Sequence, residues 1–478
     1  MDFLFNFLTN AGLDASSPLS VLWFIFKHGG FIFILAALFF GFKEIWTNSR
    51  QAKYAAKSEW VYLAIDVPKN NEQSFKAVEQ IFANLAGASK NPDTLDKYWT
   101  GYHQPAFSLE LVSIEGYIQY IIRSPKVFRD LVEAAIYAQY PDAQITEIED
   151  YTKGIDPETF KEKGYDLWAA QFGLINDEAY PIKTYPLFEH PISQLTVDPL
   201  AAVLEIFSRM NKGEQAWYQI IIKPVGDNWK EKSQAKVKEL IGTPVSAPKQ
   251  GLIDKTLDAP GRWAGQVGDL FIPVGGKDDK KDDKKMEVPS KMLYLSPGEK
   301  AAVEAIDRKT DKIGFICKIR YIYLTKGVKL AKTKGVSGFI GALKQYNLLN
   351  SNGFYPIGVT KTSSEWWQNL YKKYGEKVVT KIQKKTLANF KSRSSWAGAD
   401  KEGFILNTEE LASLYHFPLM GVVAPTVKTT DAKRGQAPMG LPVETDEVVE
   451  ENNSESLEEK IEINNGQKII APPSNLPI

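Results

Sequence analysis

The stretch FSLELVSIEGYIQYIIRSPKVFRDLVEAAIYAQYPDAQI, Phe107–Ile145, decides how the chain folds. Phe107–Ile114 and Tyr117–Arg123 are alternating runs that meet at Glu115-Gly116, a hairpin signal. Ser124-Pro125 follows, a capping serine before a proline suited to the first helical position. The helix it opens places Val127, Phe128, Leu131, Val132, Ala135 and Ile136 on its buried side, and Pro141-Asp142 ends it. Ala143–Glu149 reads as a last, more polar strand. Working back, Trp60–Pro68 is a strand with Val61, Leu63, Ile65 and Val67 on one face. Ser74–Gly87 carries a helical stripe of Phe75, Val78, Ile81, Phe82 and Leu85 and closes on glycine. Residues 88–105 are a polar loop holding Trp99, Tyr102 and His103. The order β-α-β-β-α-β predicts an α+β, ferredoxin-like module over 58–152, with an antiparallel sheet and both helices on one face.

Upstream, Leu19–Phe42 reads LSVLWFIFKHGGFIFILAALFFGF and contains no acid. Its uninterrupted part, Gly29–Phe42, is short for a bilayer of about 30 Å, but adding Leu19–Phe26 supplies the length, with Lys27 and His28 inside. A transmembrane helix over about 19–42 is expected, within an anchor of 1–57. A buried core helix and an interfacial hairpin bending at Gly29-Gly30 are the alternatives. Asp2 and Asp14 stand on one flank, and Lys43, Arg50, Lys53 and Lys57 on the other. The expected topology is therefore single-pass in a bacterial inner membrane, N-terminus outside and body cytoplasmic.

Downstream, a second α/β domain is expected over 153–420. Probable strands are Trp168–Leu174, Glu214–Val225 and Ile313–Leu324, the last with Phe315, Cys317, Ile319, Tyr321 and Tyr323 on one face. Helices are expected from Asp198 to Met210, over Asp227–Gly242, from Ser296-Pro297 to Asp311, and over Gly335–Tyr346. Residues 243–292 lose periodicity and include GGKDDKKDDKK, a flexible insert. Helix, strand, helix on each side of it fits either a second ferredoxin-like unit or one α/β domain with a long excursion. Residues 421–478 read as a disordered acidic and proline-rich tail, with nine acids and one lysine from Glu444 to Glu462.

Zero net charge hides this segregation, and a single cysteine, Cys317, excludes an intrachain disulfide. The four histidines are scattered and have no zinc-ligand spacing, so no metal and no cofactor is expected. No G-x-x-x-x-G-K-[ST], G-x-S-x-G or H-E-x-x-H motif occurs, which leaves no catalytic residue to name. Cys317 reads as a packed thiol, and His103 and His416 as structural. The binding candidate is the basic-aromatic stretch 361–393, with Lys372, Lys373, Lys377, Lys381, Lys384 and Lys385 beside Trp366 and Trp367. Its lysines suit phosphates and its tryptophans suit bases. A solvated helical face with core aromatics, or contact with anionic lipid, explains the same composition.

Three stretches carry a resemblance: Phe107–Ile145, LSPGEKAAVEAIDRKTDKIGFICKIRYIYL (Leu295–Leu324) and FILNTEELASLYHFP (Phe404–Pro418). They resemble the N-terminal, membrane-anchored half of type IV secretion and conjugation-like ATPases of small-genome candidate-phylum bacteria, itself an uncharacterised domain family. In that family the LNTEELA–LYHFP helix and a PP-x-NLP segment lead into a phosphate-loop motor. Here Ala471–Pro477 reads APPSNLP, and no motor motif is present in the chain. The resemblance implies a non-catalytic platform or adaptor on the cytoplasmic face, working with a separately encoded ATPase. The alternative is a membrane-tethered nucleic-acid-binding protein using 361–393.

Overall fold

The computed structural model describes residues 31–68, 73–188, 198–242, 295–358, 360–362, 372–399 and 403–418, together with Trp23, Phe26, Lys27 and the short pairs 463–464 and 467–468. The expected insert, 243–292, and most of the expected tail, 421–478, lie outside the described residues. Of the unit Ala432–Ile478, only Ile463–Asn464 and Gln467–Lys468 are described, paired as two short antiparallel strands.

The body is built on β1 (Trp60–Asp66), β2 (Phe107–Ile114), β3 (Tyr117–Pro125), β4 (Gln144–Ile148), β5 (Tyr165–Leu174), β6 (Glu214–Pro224), β7 (Gly314–Lys326), β8 (Phe354–Pro356) and β9 (Phe404–Asn407). All nine join one antiparallel sheet in the order β4-β1-β3-β2-β6-β7-β5-β8, with β9 on β7. This corrects the expectation of ferredoxin-like modules behind a transmembrane helix. The edge that β2 would leave open is paired along its whole length with β6, from Phe107↔Ile222 to Ile114↔Gln215. β6 continues into β7 from Glu214↔Thr325 to Pro224↔Phe315. An unpaired apolar edge is a template for further pairing, and here the second half of the chain takes it. β2 is buried at seven of its eight positions. A strand buried on both faces does not reveal from its own sequence which partner it will meet.

One face of the sheet carries the main core. Packed on it are α2 (Phe75–Leu85), α3 (Arg129–Tyr137), α4 (Ala201–Ser208), α7 (Gly338–Lys344) and α9 (Thr408–Leu414). The alternation in β7 puts Phe315, Cys317, Ile319, Tyr321 and Tyr323 into this core, where Phe339 stacks flat on Tyr321 at 3.7 Å. Ser124-Pro125 is not the cap and first turn of an α-helix: a 3-10 turn, Lys126–Phe128, follows it and leads into α3. Pro125 is the last residue of β3, opposite Trp60, and α3 starts four residues later. Ser296 does what was expected: its hydroxyl accepts from the Glu299 N–H and completes a capping box on α6 (Pro297–Thr310). α6 packs with α5 (Asn228–Ile241) at the β7 end, where Gly314 faces the Trp229 ring.

α1 (Phe31–Lys57) does not fit a membrane span, and among the described residues no helix is long and apolar enough to cross one. Its apolar part, Phe31–Phe42, covers about 18 Å at 1.5 Å per residue against a hydrocarbon core of about 30 Å. From Lys43 onward it carries charge and docks on the turn 96–101 instead. The Trp46 Nε1–H donates to the Tyr98 carbonyl at 2.8 Å, and the Arg50 guanidinium lies 4.6 Å from the Trp46 ring. Gly101, in the left-handed region at φ 75°, touches the Arg50 backbone where any Cβ would clash. The expected single-pass topology and inner-membrane location are overturned with the span. Residues 1–22, 24–25 and 28–30 of the expected anchor lie outside the described residues.

The other face of the sheet is covered by α8 (Lys372–Ser392) and the 150–164 segment. Leu387 and Phe390 press onto Trp217, Ile322, Leu324 and Leu167, with Phe160 beside them. Phe390 and Trp217 sit 5.5 Å apart, ring to ring. Removing a buried aromatic side chain costs about 3–5 kcal/mol. Phe390→Ala is expected to lower urea-unfolding stability by that amount; a loss below about 1 kcal/mol would mean that this ring does not anchor the helix.

Candidate functional site

The face under α8 is polar where a sheet interior is ordinarily apolar. Register places Glu110, Gln219, Arg320 and Gln171 side by side on β2, β6, β7 and β5, and all four are buried. Gln219 Nε2 donates to Glu110 at 3.0 Å, and an Arg320 Nη1–H donates to the Gln219 carbonyl oxygen at 3.2 Å. The two Nη groups of Arg320 also reach the end of α8 and the turn after it, while its buried Nε–H has no partner among the described residues. The Nη groups donate to the Asn389 and Ser394 carbonyls, each at 2.9 Å, and to the Ala397 carbonyl. A helix end leaves its last carbonyls unsatisfied, and a guanidinium meets that need. Burial pushes the Arg320 guanidinium down to about 10 despite the nearby Glu110 charge.

Arg393 closes the row from above. Its Nε donates to Glu110 at 2.8 Å, and Nη1 and Nη2 form a two-pronged pair with Asp150 at 2.9 Å each. Neither Arg393 nor Glu110 has any exposed side-chain surface in this pair. The Ser108 hydroxyl donates to Glu110 at 2.6 Å, and the Thr152 N–H and hydroxyl donate to Asp150 at 2.9 and 2.8 Å. Burial alone would raise the Glu110 carboxyl, but the Arg393 charge and the bonds from Arg393 and Ser108 leave it below its ordinary value. Asp150 behaves likewise, with burial outweighed by the Arg393 bond. Arg393 adopts φ 49°, a left-handed conformation that costs a non-glycine residue about 1–2 kcal/mol. It tolerates that conformation because its side chain is fixed at two carboxylates.

With its buried side pinned, α8 turns its lysines outward. Lys377, Lys381 and Lys385 are exposed at four-residue spacing, roughly opposite buried Gln383, Leu387 and Phe390. Lys384 reaches Glu158 at 2.6 Å, and Lys161 donates to the Thr380 hydroxyl at 3.0 Å. A shallow hollow of about 500 Å³ runs along this side, lined by Glu376, Lys377, Thr380, Lys381 and Lys384. Four of the eight residues singled out from sequence, Lys377, Lys381, Lys384 and Lys385, thus share one face. Lys372 and Lys373 lie in the first turn of the helix, and Trp366 and Trp367 lie outside the described residues. Glu110, Asp150, Gln219 and Arg320 escaped the sequence reading. For Glu110, Gln219 and Arg320 the signal was a charge or amide inside otherwise apolar strands, LELV, YQII and KIRY; Asp150, just after β4, carried none.

The remaining titratable groups in the core are committed to structure. Cys317 is buried with its thiol held near the Phe315 carbonyl, and burial pushes it well above the ordinary range. Burial, then the Lys223 charge, lowers His103, which packs edge-on against Tyr54. His416 lies between the Ala412 carbonyl, 2.8 Å from Nδ1, and Asp198, 2.9 Å from Nε2. The carbonyl can only accept, so Nδ1–H donates to it. Among the described residues no group of His, Cys, Asp or Glu is placed to hold a metal ion.

A family model described as a domain of unknown function (DUF8128) matches residues 47–430. No curated protein matches the chain.

Cutting Arg393 back leaves a buried carboxylate without its cation, a loss of about 3–5 kcal/mol. Arg393→Ala is expected to destabilise the fold by that much in chemical denaturation, and Arg393→Gly by about 1 kcal/mol less because glycine accepts φ 49° freely. Equal losses would contradict the strain assignment. The sign with pH follows from the lowered carboxyls. Their contribution is complete above the ordinary Glu value of 4.5 and is lost as pH falls through the folded values. Acid unfolding of Glu110→Gln should therefore depend less steeply on pH below about 4.5 than that of the parent; parallel curves would contradict it.

Proposed function

We propose that this chain, which belongs to the DUF8128 family, is a non-catalytic adaptor that positions a separately encoded phosphate-loop ATPase of the type IV secretion or DNA-transfer kind. The observation that carries this reading is how firmly Phe404–Pro418, one of the stretches behind the resemblance, is mounted. β9 pairs with β7, and Asn407 and Glu410 form a reciprocal capping box on α9. Glu410 also meets Lys309 at 3.1 Å, with both side chains fully buried, and accepts from the Ile182 N–H. The Ser413 hydroxyl accepts from the Tyr185 N–H, its carbonyl accepts from the Tyr346 hydroxyl, and His416 ties the segment to Asp198. In the resembled proteins this helix leads toward the motor. A segment held by so many buried bonds gives a fixed point against which a moving partner can work. The buried carboxylates Glu110 and Glu410 and the half-buried Asp150 are satisfied by structural partners, which suits a support more than an acid-base site.

The test is reconstitution with a phosphate-loop ATPase of this class from the same genome. Co-elution on gel filtration at micromolar concentration, with a changed ATP turnover of the partner, is expected. Separate elution with unchanged turnover, or ATP hydrolysis by the chain alone, would overturn the adaptor reading.

A further inference from the structure

We infer that the outward face of α8 is a docking surface for the phosphate backbone of duplex nucleic acid, carried by Lys377, Lys381 and Lys385. Three observations support it. The first is linear order. Four-residue steps on a helix advance about 6 Å and turn only about 40° each, so the three lysines form one shallow stripe about 12 Å long. The second is that these charges have no carboxylate within salt-bridge distance among the described residues. On the helix surfaces elsewhere, Arg129 meets Glu133, Arg209 meets Glu205, Lys230 meets Asp227 and Lys236 meets Glu239. Among the described side chains of α8, Lys384 alone has such a partner, Glu158. The third is rigidity. The side of α8 away from solvent is fixed by Phe390 and Leu387, and its end by Arg320 and Arg393. The helix that carries the row therefore needs no ordering when a partner arrives, which leaves only the lysine side chains to be fixed.

A row of point charges along a fixed helix fits a regular line of negative charge better than a flexible acidic peptide. Duplex DNA carries one charge per roughly 1.7 Å of axis, the densest such line, and binding is driven by release of its counterions. The described side chains of this face, Glu376, Lys377, Thr380, Lys381, Lys384 and Lys385, include no aromatic. Single-strand binding sites combine a cationic groove with stacking rings, so the duplex is the better match. The contact is to phosphate only, and no base sequence is read. This inference does not depend on the adaptor reading.

The experiment is fluorescence anisotropy with a labelled DNA duplex of mixed sequence, titrated with the full chain over a range of salt. Three phosphate contacts give a slope of log affinity against log salt of about −2.7, so affinity should fall about fortyfold between about 50 and 200 mM salt. The triple variant Lys377→Gln, Lys381→Gln, Lys385→Gln should lose about 2.7 from whatever slope the parent shows. The corresponding triple Lys→Arg variant should keep the parent slope, and unchanged circular dichroism of both establishes that they fold. Three results would each overturn the inference. They are no binding at about 50 mM salt, a glutamine variant with the parent slope, and a single strand or a polyglutamate of equal charge that binds at least as tightly as the duplex.

Discussion

Arg393 carries a full positive charge to a place from which water is excluded, and much of one side of the molecule is arranged around that fact. Removing two charges from water costs several kcal/mol per ion even after relaxation, and mutual attraction offsets it only with good geometry and every remaining donor satisfied. Here the geometry is good: Glu110 and Asp150 take the guanidinium from two directions, and Ser108 and Thr152 fill the carboxylates' remaining sites. The charge pair therefore favours one placement of the α8 end over any other. The apolar contact between Phe390 and Trp217 holds the helix down but makes no directional bond that fixes its register. A polar row in register across four strands does.

The same network shows why a helix with a mean composition as basic as α8 can be a fixed part of a fold. Its inward positions hold Gln383, Leu387 and Phe390, and Gln383 itself donates to the Leu167 carbonyl at 2.6 Å and to Asp166 at 3.0 Å. With that side engaged, rotation about the helix axis is settled, and Lys377, Lys381 and Lys385 are left exposed. The Phe404–Pro418 segment, on the opposite face of the sheet, follows the same rule with different residues. There Lys309 with Glu410, and His416 with Asp198, supply buried polar contacts that fix a short strand and helix. Each face is thus pinned at a late stretch of the sequence by polar groups drawn from early or middle ones.

Much of this is legible from residue order alone. Alternation located β1, β2, β3 and β7, and a serine before a proline located the start of α6. The same dipeptide misled at Ser124-Pro125, because pairing of Pro125 with Trp60 extends β3 beyond the point where local chemistry would stop it. Strand partnership was illegible for a related reason. An apolar strand says that it will be covered, and long-range pairing decides by what, so β2 and β6 gave no hint of their union. The apolar run ending at Phe42 was read by hydropathy, whereas the helix continues through Lys43 to Lys57 and is held by Trp46, Arg50 and Gly101 against the turn 96–101. The lysines of α8 were legible as a cluster. The buried residues that aim them were not, since a single charge inside a strand looks the same whether it faces a partner or an error.

The claim that buried charge pairing places α8 is open to direct measurement by native-state hydrogen exchange of the full chain and Glu110→Gln. The account predicts that the amides of α8 lose protection in the variant while those of β6 and β7 keep it, because the sheet retains its main core and only the mount of the helix is cut. Unchanged protection along α8 would contradict the account, since the helix would then be held by its apolar contacts alone.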